Sequence, residues 1–181
     1  MRYAQIRSLD ISDGEGCGVA LFVQGCDRHC YNCFNSETWN FNGGKAWTEE
    51  AKNKFLKLID KTYIKRVSIL GGEPLAEQNL DGVLDLIEEI RISFPEKSIW
   101  LYSGYTWNQI MYPVVTDDLN PIRDKIIQTR KDIIKNVDVL VDGEYIDEKR
   151  DVTLKWRGSS NQRVIDIKQS IAQNKVVLYC D

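Results

Sequence analysis

Apolar residues follow two rhythms along this chain. Val19-Ala20-Leu21-Phe22-Val23 is an unbroken apolar run closed by Gly25, the pattern of a strand buried on both faces. Three more short runs end in the same way: Arg66–Leu70 before Gly71-Gly72, Ser98–Tyr102 before Ser103-Gly104, and Val137–Val141 before Asp142-Gly143. Between them the period lengthens to that of a helix. Ala51, Phe55, Leu58 and Ile59 share one face behind a Thr48 cap, with Glu49 and Glu50 placed to suit the helix dipole. Val83, Leu86, Ile87 and Ile90 share another face, with Asn79 as the expected cap. Thr106–Met111 predicts a short helix ended near Pro113. Ile122–Ile134 predicts a longer one, and Asp166–Gln173 a last one. Val176–Tyr179 reads as a closing strand, and 144–165 as mostly irregular. Residues 26–47 carry Cys, Asn, Gly and Trp without a period, so they read as a long functional loop.

Strands that alternate with helices predict right-handed βαβ units, an α/β fold and a mostly parallel sheet. Ligands of such sheets gather beyond the carboxyl ends of the strands. The cysteine loop, Gly71-Gly72-Glu73-Pro74, Ser103-Gly104-Tyr105 and Asp142-Gly143 all fall there, which predicts one shared site. A strand-ending glycine explains each Gly, but not the Glu or the Cys triplet beside it. The 181 residues fit a single domain over 1–181, with a C-terminal extension of about 144–181 packing on it.

Composition narrows the function classes. With 43% hydrophobic and 28% charged residues, the chain is neither disordered nor a disulfide-stapled miniprotein. A net charge of −3 gives no chain-wide basic footprint, so no nucleic-acid partner is expected. The apolar run at 19–23 is far below the ~20 residues of a membrane span, and the N-terminus has no signal-peptide core. A cytoplasmic protein without a membrane partner is expected. Thiols stay reduced there, which turns attention from disulfides to metal.

Of five cysteines, three form Cys26-x3-Cys30-x2-Cys33. Such spacing wraps soft thiolates around one small centre, either zinc or an iron–sulfur cluster. A closed zinc site wants a fourth ligand, for which His29 and Cys17 are the candidates. A four-iron cluster on three thiolates leaves one iron open, as a catalytic centre requires. Cys17 and Cys180 read as ordinary thiols.

Cys-x3-Cys-x2-Cys after a first strand resembles the signature of the radical S-adenosylmethionine (SAM) superfamily, and Gly71-Gly72-Glu73-Pro74 resembles its Gly-Gly-Glu-Pro motif. A narrower resemblance runs almost end to end, to the activating proteins of anaerobic ribonucleoside-triphosphate reductases. It is carried by Leu21–Cys26, Cys33–Trp39, Trp100–Tyr105, Val139–Gly143 and, most specifically, Trp156-Arg157-Gly158-Ser159-Ser160-Asn161-Gln162-Arg163. Many superfamily members set an aromatic residue before the third cysteine. Here Asn32 stands there and Phe34 follows Cys33, a shift similar to that of the narrower family.

The resemblance implies a partial, open β/α barrel of the radical SAM type. It implies Cys26, Cys30 and Cys33 as ligands of one [4Fe-4S] cluster, with SAM on the open iron. Gly71, Gly72 and Glu73 would meet the methionine ammonium, Ser103 the carboxylate or ribose, and Asp142 a ribose hydroxyl. Asn32, Cys33 and Phe34 would border the adenine. Reductive cleavage would yield a 5′-deoxyadenosyl radical that takes hydrogen from a glycine of the reductase, the partner, with electrons from a donor such as a flavodoxin-type protein. Three other readings are an activase of another glycyl-radical enzyme, a radical SAM enzyme of nucleobase-precursor synthesis, and a zinc-binding interaction module.

Overall fold

The computed structural model describes residues 1–114 and 120–180. Seven strands form one open sheet: β1 (Arg2–Asp10), β2 (Gly18–Val23), β3 (Lys45–Ala46), β4 (Arg66–Gly71), β5 (Ser98–Ser103), β6 (Val139–Asp142) and β7 (Arg163–Asp166), in the order β3-β1-β2-β4-β5-β6-β7. The central strands β2, β4, β5 and β6 are parallel neighbours. β1 pairs antiparallel with β2 and β3, and β7 antiparallel with β6, so five of the seven strands run one way. The helices are α1 (Glu49–Ile59), α2 (Leu80–Ser93), α3 (Trp107–Met111), α4 (Pro121–Lys135) and α5 (Ile167–Gln173). None is long and apolar enough to cross a membrane among the described residues.

The two faces of the sheet differ. On one, Val19, Leu21, Val67, Ile69, Ile99, Leu101 and Leu140 pack against Phe55 and Ile59 of α1, Leu86 and Ile90 of α2, and Ile133 of α4. Alternation turns Ala20, Phe22, Leu70, Tyr102 and Val141 to the other face. No helix contributes to the apolar clusters there; Trp156 and Cys180, from loop segments, do. That face stays open at the strand ends.

The four apolar runs are the four central strands, and Thr48 caps α1 by accepting the Ala51 N–H at 3.3 Å. Other expectations change. β1 and β7 were not expected, and Val176–Tyr179 makes one bridge, Leu178 to Ile165, rather than a strand. Asn79 precedes α2 without capping it. Its Nδ2 instead donates to Gln24 O at 3.1 Å and Glu73 O at 3.0 Å, because buried carbonyls between β2 and β4 need a donor more than the helix end does.

Candidate functional site

β2 leaves the sheet at Gly25, whose φ of +97° and lack of a side chain leave room for the Phe41 ring. The chain then makes a closed loop. Gly25 N–H donates to Thr38 O at 2.7 Å and Cys26 N–H to Trp39 O at 3.1 Å, so the return limb is fastened to the exit. Cys26, Cys30 and Cys33 all line one cavity of about 600 Å³ at the strand ends, together with Phe34, Gly71, Gly72, Glu73 and Ser103.

The thiols suit a cluster. Backbone N–H groups of Arg28 and Asn35 each lie 3.4 Å from a sulfur, of Cys26 and Cys33 respectively. Burial pushes the Cys26 thiol up to about 11, with the backbone donors opposing and Glu73 and Asp27 adding to the shift; burial raises Cys30 too. Thiols held protonated in this way become ligands when a metal ion displaces the proton. Among the described residues, no three His, Cys, Asp or Glu side chains converge on a single-ion position. Neither expected fourth zinc ligand reaches the centre. His29 stacks on Trp39 with ring centroids 4.8 Å apart, and Cys17 precedes β2, ~20 Å of strand from Cys26.

The turn after β4 locks onto the cysteine loop. Gly72 N–H donates to Val23 O at 3.0 Å and Glu73 N–H to Gly25 O at 2.8 Å. A Cβ on Gly72 would stand 2.4 Å from Gly25 O. The immediate reason for that glycine is therefore the approach of two chain segments. Glu73 is 1% exposed. Its Oε1 accepts from Leu75 N–H at 2.9 Å and Ser103 Oγ at 2.8 Å, and its Oε2 from Gly104 N–H at 2.7 Å. Burial pushes its carboxyl up to about 7 against those three donors, with Asp27 adding to the rise. No Lys, Arg or His pairs with it among the described residues.

Similarity to known proteins places the chain in a family. Residues 12–165, which hold the cysteines and the Gly-Gly-Glu-Pro turn, match a family model described as a 4Fe-4S single cluster domain. The chain is 36% identical over 164 residues to the anaerobic ribonucleoside-triphosphate reductase-activating protein of Vibrio cholerae, covering 90% of this chain and 96% of that one. Against the protein of the same description from Escherichia coli it is 36% identical over 166 residues, or 91% and 97% of the two chains. This chain belongs to the family of anaerobic ribonucleoside-triphosphate reductase-activating proteins.

Other residues expected in the site of this activating-protein chain are placed differently. Ser103 donates its hydroxyl to Glu73 and accepts from Tyr105 N–H at 3.0 Å, so it orients the acid. Asp142 is 1% exposed and does not line the cavity. Both its oxygens are taken by the Arg163 fork, and Oδ2 also accepts from Trp107 N–H at 2.7 Å, which makes it a brace between β6, β7 and α3. Asn32, at φ +52°, donates to Asp147 at 2.9 Å and also stands outside the lining. Phe34 does line it, 58% exposed, with its ring 5.1 Å from that of Tyr145.

Two groups were missed in the sequence. Arg28, inside the cysteine triplet, lies 3.9 Å over the Tyr105 ring, and Arg130 of α4 lies 4.2 Å from the same ring. Arg130 also donates to Tyr105 Oη at 2.8 Å and Leu75 O at 2.9 Å, and Tyr105 donates to Asp27 at 3.2 Å. One tyrosine thus ties the cysteine loop and the Gly-Gly-Glu-Pro turn to α4. Arg7, Asp13 and Tyr102 also line the cavity. The Asp13-Gly14 pair was a possible signal, but it has meaning only once β1 is recognised before it.

Proposed function

We propose that this chain binds one [4Fe-4S] cluster and SAM, and generates a glycyl radical on an anaerobic ribonucleoside-triphosphate reductase. One observation carries the reading: a buried carboxylate, Glu73, with donors but no counter-cation, shares a cavity with three cysteines. A carboxylate so placed favours a cationic ligand. SAM brings such a group: its amino end is an ammonium in solution and, on giving up a proton to chelate the metal that the cysteine triplet would hold, would keep metal-polarised N–H donors for Glu73.

Cys26, Cys30 and Cys33 hold three irons and leave one open. Glu73 would accept N–H groups of that amino end, and Ser103 keeps the carboxylate aimed. Gly71 and Gly72 bring the turn against the cysteine loop, so that acid and cluster share one wall. Phe34 and Cys33, which line the cavity, border the adenine, and Asn32 lies behind them. When bound, the cluster supplies the electron, and SAM the 5′-deoxyadenosyl group that takes a hydrogen atom from a glycine Cα, leaving methionine, 5′-deoxyadenosine and the glycyl radical. The electron comes from a low-potential donor of the flavodoxin type.

We read the open sheet as a partial barrel of the radical SAM type, in one domain over 1–181 working in the cytoplasm. Its open side suits a protein substrate. Anaerobic reconstitution with iron and sulfide, then SAM, a reductant and the reductase of the same organism, tests the proposal. About four irons per chain, 5′-deoxyadenosine and a glycyl-radical resonance are expected. One zinc per chain without acid-labile sulfide overturns it.

A further inference from the structure

β6 and β7 are antiparallel neighbours, and such strands can close with a turn of about two to five residues. Here residues 143–162 lie between them and make an excursion to the cysteine loop. The excursion is cross-tied. Gln162 Oε1 accepts from Gly158 N–H at 3.0 Å and Ser159 N–H at 3.2 Å, Gln162 Nε2 donates to Gly143 O at 2.9 Å, and Asn161 Nδ2 donates to Glu144 O at 2.8 Å. Residues 158–162 thus brace the first residues of their own segment.

Those first residues meet the loop beside each cysteine. Glu144 pairs at 3.2 Å with Arg28, which stands between Cys26 and Cys30. Asp147 Oδ2 accepts at 2.9 Å from Asn32 Nδ2, between Cys30 and Cys33. Tyr145 packs on Phe34, just after Cys33, with ring centroids 5.1 Å apart, and its hydroxyl donates to Asp147 Oδ1 at 2.6 Å.

The loop needs holding. His29 has a φ of +50° and Asn32 a φ of +52°, in the left-handed region where a side chain costs free energy. His29 directly precedes Cys30, and Asn32 directly precedes Cys33, so these two backbone turns set where the thiols leave the chain. The His29 ring is held by its stack on Trp39, and Asn32 by Asp147. The excursion also reaches a sulfur: burial raises the Cys30 thiol, and the first group to oppose that rise is the Tyr145 backbone.

We infer that residues 144–147 are a positioning strap for the iron–sulfur cluster: Asp147, acting through Asn32, keeps the cysteine loop in its ligating shape before iron enters and slows the loss of the cluster afterwards. This rests on the cluster reading above. Groups that orient metal ligands from behind are worth roughly 10- to 100-fold in metal retention. Arg28 has Asp27 and the Tyr105 ring to hold it besides Glu144, so the Asn32–Asp147 pair is the one to break.

The test loads the full chain with iron and sulfide under anaerobic conditions and follows the rate at which EDTA strips the iron. SAM is left out, so that no contact of Asn32 with adenine enters. Asp147→Ala is expected to lose iron roughly 3- to 10-fold faster than the wild type, and Asn32→Ala roughly 10-fold faster, since alanine loses the bond and keeps the cost of a positive φ. Asn32→Gly loses the same bond but adopts that φ freely, and stays within about threefold of the wild type. Melting temperatures of the iron-free variants stay within about 4 °C of the wild type, because the pair is exposed. Equal rates of iron loss in Asn32→Ala and Asn32→Gly overturn the inference. A wild-type rate in Asp147→Ala overturns it as well, while the cluster reading stands. A fall of more than about 4 °C in iron-free Asp147→Ala makes the segment a brace of the whole fold and also overturns it. A wild-type chain that takes up no iron overturns the cluster reading, and the strap falls with it.

Discussion

Arg66 and Glu73 flank a single strand, Arg66 opening β4 and Glu73 two residues beyond its end, and each is almost shut from solvent. Their surroundings differ in one respect. Arg66 has a counter-ion: Nη2 reaches Asp10 Oδ1 at 2.8 Å, and the carbonyls of Asp10, Asp13 and Glu15 take its other donors. Burial alone would raise Asp10, but hydrogen bonds from Arg66 and the Asp13 backbone hold it below the usual carboxylate range. Glu73 has three neutral donors and, among the described residues, no cation, and burial lifts it to about 7. A buried charge with its partner fastens the β1–β2 loop to the sheet and is architecture. A buried charge without one, beside a cavity, is a demand on a ligand.

The cysteines give the largest expected effect on this contrast. Cys26→Ala, Cys30→Ala or Cys33→Ala each removes the iron–sulfur absorbance near ~400 nm after reconstitution, whereas Cys17→Ala and Cys180→Ala keep it. Full cluster content in any of the first three would break the ligand set. The architectural end comes next. Arg66→Met takes from Asp10 its buried cation and leaves only the more distant Arg7, at 3.5 Å, so denaturant unfolding of the ligand-free protein should show a loss of about 3 kcal/mol. Glu73→Gln, which disturbs one of three hydrogen bonds, should lose about 1–2 kcal/mol. Equal losses in the two variants would erase the distinction between the strand's ends.

What the sequence shows and hides follows the range of the forces involved. β2, β4, β5 and β6 are legible because burial on both faces writes continuous apolar runs. β1 is hidden because it is half exposed and alternates Arg2, Gln5 and Arg7 with apolar residues, and β7 because only Val164 and Ile165 of it are buried. The cysteine spacing and Gly-Gly-Glu-Pro are local and could be read directly. Asn79 was misjudged because carbonyls from distant segments outbid its own helix end. The partner of Asp142 could not be read because the Arg163 fork that takes its oxygens lies 21 residues on. The Arg28–Tyr105–Arg130 stack exists only once the sheet brings the loops and α4 together. No spacing records it.

A smaller effect sharpens the contrast at the Glu73 end alone. Glu73→Gln keeps the shape of the side chain and loses a charge-assisted contact to the amino end of SAM, worth ~1.5–3 kcal/mol, so SAM affinity should fall roughly 10- to 150-fold. Cluster content should hold, because the cysteines lie on another loop. Gly72→Val should do more damage than its size suggests, since the added carbon meets Gly25 O at the exit of the cysteine loop and disturbs both walls together. Equilibrium binding of SAM beside iron quantitation checks both variants. Unchanged SAM affinity in Glu73→Gln would leave the acid as a turn residue.

The smallest expected change in SAM affinity comes from pH, and pH acts in opposite directions on stability and binding. The folded-state pKa of Glu73, about 7, lies above its ordinary 4.5, so between these values the folded chain holds a proton that the unfolded chain has released. The stability linked to that proton is fully present below about pH 4.5 and lost as pH rises through about 7, roughly 3 kcal/mol in all. The N–H donors of SAM's amino end favour the ionised carboxylate, so SAM binding should tighten roughly tenfold between about pH 6 and pH 8, while the stability falls mainly between about pH 4.5 and 7. Glu73→Gln should flatten both profiles. Titrations of SAM into the oxidised, cluster-loaded protein across that range, with thermal melts of the ligand-free chain beside them, read the two slopes. A wild-type SAM affinity that is flat or weakens toward pH 8 would mean that the amino end of SAM finds its partner elsewhere. Glu73 would then belong with Arg66 as architecture.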